Sequence, residues 1–167
     1  MFSGLTPFDS ITHALTAVST GGFSTHNNSI ASFNNVYAEI ILILFMILGA
    51  TNISLLWLVL RRQEFVVIKK DPELTKFIVA IIIISTIIGI SLITLSDIDK
   101  LSAFRVGVFS TVSAITTTGF YSGQNIGWPL FVPMLLLVLM FAGGCTGSAT
   151  GGLKTMRVML LFRLAQR

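Results

Sequence analysis

The chain has 167 residues, of which 53% are hydrophobic and only 11% are charged. A soluble domain carries about 25% charged residues, so this composition excludes an ordinary soluble protein and indicates a membrane protein. The basic residues behind the net charge of +4 do not form a nucleic-acid patch, and the single cysteine, Cys145, excludes an internal disulfide.

A short amphiphilic stretch near the start, Pro7 to Ser19, leads directly into the polar phrase TAVSTGGFST (16–25). The stretch is too short to span a bilayer. Short helices that end in Gly-containing polar segments at membrane depth are typical of re-entrant loops. Irregular backbone is tolerated there only inside protein or against a watery cavity. The stretch is therefore predicted to be a pore helix.

Two apolar segments that follow are long enough to cross a bilayer. The run from Val36 to Leu60 carries one charge, Glu39, near one end and stops at Arg61 and Arg62. The run from Phe77 to Leu95 has 19 residues and no charge. At about 1.5 Å per residue it covers roughly 28 Å, which is close to the thickness of a bilayer core. Both runs are predicted to be transmembrane helices.

A second amphiphilic stretch, Phe104 to Thr116, leads into the phrase SAITTTGFYS (113–122), which aligns without a gap on the first phrase 97 residues earlier. The identical pairs are Ala17/Ala114, Thr20/Thr117, Gly22/Gly119 and Phe23/Phe120. Three other pairs exchange Ser with Thr, and one exchanges Val with Ile. The repetition predicts two equivalent pore loops.

A third apolar run, Trp128 to Ala142, is too short to span comfortably and is followed by GGCTGSATGG (143–152). Five glycines in ten residues are too many for a stable helix interior. Helix-like sequence resumes in LKTMRVMLLFRLAQR (153–167). The pattern predicts a transmembrane helix that is broken by a Gly-rich loop.

Lysine and arginine are distributed unevenly between the two sides of the predicted spans. The linker 61–76 and the C-terminal segment are rich in them, whereas the opposite side has only Lys100 and Arg105. By the positive-inside rule, the linker and the C-terminus are predicted to be cytoplasmic, so both repeated phrases open outward. The basic residues on the cytoplasmic side are Arg61, Arg62, Lys69, Lys70, Lys76, Lys154, Arg157, Arg163 and Arg167.

These elements predict an all-α membrane protein built of helix–pore loop–helix repeats of the potassium-channel type. Residues 1–60 form a partial repeat with a pore helix, a filter strand and a transmembrane helix. Residues 61–76 form the linker. Residues 77–167 form a complete repeat, in which the second transmembrane helix is the broken one.

The repeated phrases have the residues that a selectivity filter for a dehydrated cation needs. Such a filter replaces the hydration shell with backbone carbonyls and a threonine hydroxyl. Pointing successive carbonyls at one axis requires alternating backbone dihedrals, which glycine adopts easily, and an aromatic side chain can pack outward and hold the strand. A tight helix contact through small residues is the alternative interpretation. The predicted filter residues are Thr20, Gly21, Gly22 and Phe23 in one strand, and Thr117, Thr118, Gly119 and Phe120 in the other.

The chain resembles the Trk/Ktr/HKT superfamily of potassium transporters over essentially its whole length, most closely the membrane subunit of the Trk branch. Three segments carry the resemblance: STGGFSTHN (19–27), ITTTGF (115–120) and GGCTGSATGGLKTMRV (143–158). The first two resemble the family's second and third filter segments. The third resembles the loop that breaks the second helix of the third repeat.

The resemblance implies four helix–pore–helix repeats around one pore, with each repeat donating one filter strand. Glycines in the filter favour K⁺, and a serine in one filter is associated with Na⁺ permeation. The broken-helix loop lies beneath the filter as an intramembrane gate. Cytosolic nucleotide-binding subunits of the TrkA/KtrA kind control it, and the full-length subunit is a homodimer in the inner membrane. The chain binds no cofactor, and K⁺ is the transported ion.

The predicted gate residues are Gly143, Gly144, Cys145, Thr146, Gly147, Ser148, Ala149, Thr150, Gly151, Gly152 and Lys154. A nucleotide P-loop is one alternative for this segment, but Leu153 interrupts the motif and a membrane helix replaces the preceding strand. Plain tight helix packing is another. Lys154 either faces the pore or anchors the helix at the cytoplasmic interface.

Because the chain has about one and a half repeats, it is expected to be a fragment of a longer protein. The predicted function is K⁺ uptake through a filter gated by the loop. A homodimeric cation pore of this short chain and a non-conducting membrane protein are the alternatives. No nucleophile or acid–base pair is assembled, so an enzyme is not expected. His13 is expected to pack on its pore helix, and Cys145 to be a small buried residue.

Overall fold

The computed structural model describes residues 5–62, 71–95, 99–123 and 128–166, and the regular elements in these ranges are all helical. A short 3₁₀ helix, Ser29–Phe33, follows the first pore loop. The α-helices are α1 (Pro7–Val18), α2 (Val36–Ala50), α3 (Ile53–Arg62), α4 (Pro72–Leu95), α5 (Lys100–Ile115), α6 (Phe131–Ala142) and α7 (Thr155–Ala165). The helical character confirms the predicted fold class.

Polar side chains set the beginnings of the helices. The Thr6 hydroxyl accepts a hydrogen bond from the Asp9 N–H at 3.2 Å, and Pro7 occupies the first turn of α1. The Asn35 side chain accepts from the Tyr37 N–H at 2.9 Å at the start of α2. Such caps satisfy N–H groups that have no partner inside the helix, and they fix where each helix begins.

The prediction of one continuous helix from Val36 to Leu60 is wrong. The chain bends by 101° between α2 and α3. The Asn52 side chain accepts a hydrogen bond from the Ser54 N–H at 2.9 Å, so it caps α3 as a new helix. The segment is therefore a broken pair of helices.

Helix α4 is long and apolar enough to cross a membrane unaided, the one such helix within the described ranges. It begins at Pro72, five residues before the predicted boundary, since Asp71 Oδ1 accepts from the Glu73 N–H at 2.8 Å. The predicted linker 61–76 thus contains the end of α3 and the first turn of α4. Its residues 63–70 lie outside the described part.

Helices α4 and α5 pack closely at two glycines. A Cβ added to Gly107 would lie 3.2 Å from the Gly89 Cα atom. Small residues at such a crossing let two helix backbones approach each other, which is how helices associate in membranes. Next to the crossing, Ile88, Leu92 and Val132 are fully buried, so α6 packs into the same cluster.

The two pore helices differ in what covers them. In α5, Val112 and Ile115 are buried. The aligned side chains in α1, Leu15 and Val18, are exposed, as are Phe8 and Ile11 on the same helix. Helix α5 has its repeat's opening helix, α4, packed against it, whereas no described helix takes that place beside α1.

An ion pair between a buried carboxylate and a partly exposed arginine joins α2 to α5. Arg105 Nε of α5 lies 3.2 Å from Glu39 Oε2 of α2, and the Glu39 side chain is only 2% exposed. Removing Arg105 would leave the Glu39 charge buried and uncompensated, which is strongly destabilising. The pair therefore holds the second helix of one repeat against the pore helix of the next.

We expect Gly107→Leu to destabilise the protein by about 1–3 kcal/mol, because the added side chain must push α4 and α5 apart. The measurement is the thermal unfolding midpoint of the purified full-length protein in detergent. Thr94→Leu, at an exposed position of α4, is the control and should leave the midpoint nearly unchanged. Equal losses in the two variants would contradict the proposed close approach.

Candidate functional site

The two pore loops leave their helices through the same backbone hydrogen bonds, in register with the repeat of 97 residues. The Gly21 N–H donates to the Thr16 carbonyl at 2.8 Å, and the matching Thr118 N–H donates to the Ser113 carbonyl at 2.9 Å. The helices end here because the chain turns sharply after them. The sequence repeat is therefore also a repeat of local structure.

A hydroxyl in each pore helix fastens the strand that follows it. Thr16 Oγ1 donates to the Phe23 carbonyl at 3.1 Å, and Ser113 Oγ donates to the Phe120 carbonyl at 2.8 Å. This pair explains the Ser-for-Thr exchange between the phrases, since both residues supply the same hydroxyl. Each strand is thus held at its far end by its own pore helix.

Backbone dihedrals alternate in both strands. Thr20 and Thr117 each have a φ of 53°, and Gly22 and Gly119 have values of +68° and +85°. The residue between them in each strand has a negative φ. A β-branched residue at positive φ is strained and persists only where its surroundings enforce it. The alternation is the backbone arrangement that the predicted filter requires.

The two strands touch at Gly22. A Cβ added there would lie 1.8 Å from the Thr118 carbonyl oxygen, so no larger residue fits without moving the backbone. A Cβ added at Gly119 would meet nothing within 4 Å among the described residues. The first glycine is needed for space and for its φ, whereas the second is needed for its φ alone.

The aromatic residues of the two strands differ in their packing. Phe120 is 4% exposed and stacks on His13 of α1, with ring centroids 5.9 Å apart. Phe23 is 74% exposed, so the expectation that both aromatic side chains pack is met in the second strand only. His13 is buried and bonded to Ser24 Oγ at 2.9 Å, as expected for a packed histidine.

The Gly-rich segment is a closed loop between α6 and α7. The Leu153 N–H donates to the Phe141 carbonyl at 2.8 Å, which brings the two ends of the loop together. A Cβ added to Gly143, whose φ is +67°, would lie 2.3 Å from the Gly151 carbonyl oxygen. The loop separates α6 from α7, and glycine is required where the loop closes.

The loop reaches the beginning of the predicted filter strand 117–120. The Gly151 N–H donates to Thr117 Oγ1 at 2.8 Å. Thr117 is the first residue of the strand 117–120, two residues before Gly119. This is the position where a filter supplies a side-chain oxygen. The predicted gate and the predicted filter are therefore in direct contact.

The loop is also bonded to the bend between α2 and α3. The Cys145 N–H donates to the Ala50 carbonyl at 2.9 Å, and the Ile53 N–H donates to the Gly147 carbonyl at 3.2 Å. Helix ends leave such groups without partners, so each break supplies what the other lacks. Cys145 is buried, as expected.

Lys154 bonds within the loop itself. Its Nζ donates to the Thr150 carbonyl, to Thr150 Oγ1 at 3.2 Å and to Ser148 Oγ at 3.4 Å. Ser148 Oγ and Thr150 Oγ1 are also 2.7 Å apart. The ammonium group thereby gathers the loop hydroxyls.

One residue at this site was missed by sequence reasoning. Glu73, in the first turn of α4, is 5% exposed, and its Oε1 accepts hydrogen bonds from the loop residue Thr146. The positive-inside rule draws only on its basic neighbours in the linker. An acidic residue directly after Asp71-Pro72, at the start of an apolar helix, was the available signal. Similarly, Asn52 within an apolar run signalled the bend between α2 and α3.

The chain matches known proteins along almost its full length. A family model described as TrkH, cation transport protein, matches residues 3–167. The chain is 36% identical to the Trk system potassium uptake proteins TrkH of Halomonas elongata and of Escherichia coli K12, over 100% and 99% of its length. It spans 35% of the length of each of these relatives.

A solved structure is also similar to the chain. The crystal structure of the potassium transporter TrkH from Vibrio parahaemolyticus matches with a TM-score of 0.95 and 34% sequence identity. The match covers 99% of this chain and 37% of that one.

Substitution by alanine should lower stability more at Gly22 than at Gly119. We expect Gly119→Ala to cost about 1–2 kcal/mol of stability from its positive φ. Gly22→Ala carries the same strain and also clashes with the Thr118 carbonyl, so it should lower the thermal midpoint of the full-length protein clearly further. Equal midpoints for the two variants would show that the strands do not approach each other as described.

Proposed function

The chain belongs to the TrkH family of cation transport proteins, and on this premise we propose that it forms part of the pore through which a membrane transporter takes up potassium. The observation that carries the proposal is the pair of strands, 20–23 and 117–120. They have the same hydrogen bonds and the same alternating dihedrals, and each follows a short helix.

Each feature of the strands has a use in binding a dehydrated cation. Alternating dihedrals allow successive carbonyl oxygens to face one axis and replace the hydration shell. The C-termini of α1 and α5 end at the strands, where their partial negative charge favours a cation. Thr20 and Thr117 supply hydroxyls at the inner end. No covalent bond is made or broken as the ion passes, so the site needs no nucleophile or acid–base pair.

The loop 143–152 with Lys154 acts in this proposal as the gate. Its bond from Gly151 to Thr117 Oγ1 holds it against the filter, where it blocks the inner exit. Five glycines and the hydroxyls of Thr146, Ser148 and Thr150 let it move and meet water or ions when it is displaced. The pore conducts down the electrochemical gradient when the loop leaves Thr117.

Other parts of a longer polypeptide complete the pore. Phe120 packs against His13 on the pore helix of the preceding repeat. Phe23 is exposed, so by analogy one more pore helix would lie beside it. The exposed face of α1 calls for a helix equivalent to α4. Remaining repeats of the full-length transporter meet both needs, whereas two copies of this chain alone would leave α1 uncovered.

The family places the chain in a membrane, and its relatives are named as components of a Trk system. We propose that this is the inner membrane, with the linker 61–76 and the C-terminus in the cytoplasm. There a nucleotide-binding regulatory subunit of the TrkA/KtrA kind acts on the gate, and the full-length subunit pairs with a second copy.

Gly119→Ser in the full-length transporter tests the filter assignment. Serine fits the open space at this position but disfavours its positive φ, so the carbonyls lose their orientation toward the ion. A strain of about 1–2 kcal/mol corresponds to a roughly tenfold fall in the ratio of K⁺ to Na⁺ flux into proteoliposomes.

Thr94→Ala, on the exposed face of α4, is the matched control and should keep the wild-type flux ratio. An unchanged ratio in the Gly119→Ser protein, at equal reconstitution, would remove these strands from the conduction path.

A further inference from the structure

A single carboxylate oxygen connects the gate loop to α4 and to α7. Glu73 Oε1 accepts hydrogen bonds from the Thr146 N–H at 2.7 Å, from Thr146 Oγ1 at 3.0 Å and from the Met156 N–H at 3.0 Å. Thr146 lies inside the loop, and Met156 lies in the first turn of α7. Glu73 itself belongs to α4, so three separate elements meet at this oxygen.

All three hydrogen bonds are accepted by a carboxylate, which makes them strong. The Met156 N–H has no partner inside α7 because it lies in the first turn, where a negative charge is also favourable. Hydrogen bonds to an ionised acceptor are shorter and about twice as strong as neutral ones. Glu73 is almost fully buried, and its removal would leave both Thr146 donors and the Met156 N–H without this charged partner.

We propose that Glu73 is the latch that holds the gate loop closed and the point at which the cytoplasmic linker acts on it. This inference rests on the proposed function, since it assigns a regulator to that gate. Glu73 touches neither the filter nor its ion, so it is a positioning residue.

The position of Glu73 links the latch to the linker. Asp71 Oδ1 accepts hydrogen bonds from the Glu73 N–H at 2.8 Å and from the Leu74 N–H at 3.1 Å, which fixes the start of α4. Asp71 and Glu73 both lie in the last part of the predicted linker 61–76. A hydrogen bond weakens steeply once donor and acceptor separate by more than a few tenths of an ångström. A small displacement at the start of α4 is therefore enough to release Thr146 and Met156 together.

The other anchors of the loop lie elsewhere in the protein. Cys145 and Ala149 donate to carbonyls at the end of α2, and Gly151 donates to Thr117 in the filter strand. These contacts hold the loop toward the pore and the neighbouring repeat. Among the described residues, Glu73 is the anchor that comes from the start of α4, so a signal arriving through the linker meets the loop there.

Two variants of the full-length transporter test the latch. Glu73→Ala removes all three bonds, and we expect K⁺ uptake without the regulatory subunit to rise roughly tenfold, the change that losing charged hydrogen bonds implies. Glu73→Gln keeps the shape and one acceptor oxygen, so its rise should be smaller. It also provides the test if the alanine variant does not reach the membrane. Thr75→Ala, exposed in the same turn, is the control and should behave as wild type.

A second measurement reports on the loop without relying on transport. Cys145, next to Thr146, is 1% exposed. In a full-length protein whose other cysteines have been replaced, its reaction with a membrane-impermeant thiol reagent should be slow. Both Glu73 variants should speed this labelling, the alanine variant by roughly tenfold, while the Thr75→Ala protein keeps the slow rate.

The two readouts separate failure of the latch from failure of the proposed function. Unchanged Cys145 labelling in both Glu73 variants, at wild-type levels in the membrane, would overturn the latch. Faster labelling with unchanged K⁺ uptake in a conducting transporter would overturn it as a gate control and leave the proposed function intact. Faster labelling in a protein that carries no K⁺ in any form would keep the latch and refute the proposed function.

Discussion

Irregular backbone at membrane depth must find partners for its polar groups within the protein, and this constraint shapes the whole chain. The strands 20–23 and 117–120 meet it through the helices that precede them, by the Thr16 and Ser113 hydroxyls. The Gly-rich loop meets it through three neighbours: the bend after Ala50, the Thr117 hydroxyl and the Glu73 carboxylate. Each of these three non-helical segments is therefore bonded to another element, which explains how segments without regular structure have a fixed place.

The repeat and its exceptions follow from the same constraint. Both pore loops keep their hydrogen bonds because each is satisfied inside its own repeat. The two interrupted helix pairs, α2–α3 and α6–α7, depend on each other instead, since the loop from one supplies donors to the broken end of the other. The ion pair between Glu39 and Arg105 adds a second link. The local geometry of the two pore loops is thus repeated, whereas the contacts between the two repeats are not.

The sequence predicts the features that local chemistry controls. Pro7, the two polar phrases and the five glycines of 143–152 predict a short helix before each phrase, an irregular strand after it and the interruption between α6 and α7. The bend after Ala50 escapes because its stabilising partner, the loop around Gly147, is almost a hundred residues away in the chain. Glu73 escapes for the same reason, since its donors are Thr146 and Met156. Phe23 is predicted to pack but is exposed, because no described element covers it.

In the proposed pore, the loop is held at its two ends by side chains with different roles. Thr117 Oγ1 accepts from the Gly151 N–H while the loop is in place, and this uses one of the hydroxyl's acceptor positions. Departure of the loop returns that position to the filter, where an ion can take it. Opening the gate and completing the inner ion site are then one event. Glu73, at the other end, controls when it occurs, because the loop cannot leave Thr117 freely while Thr146 is bound.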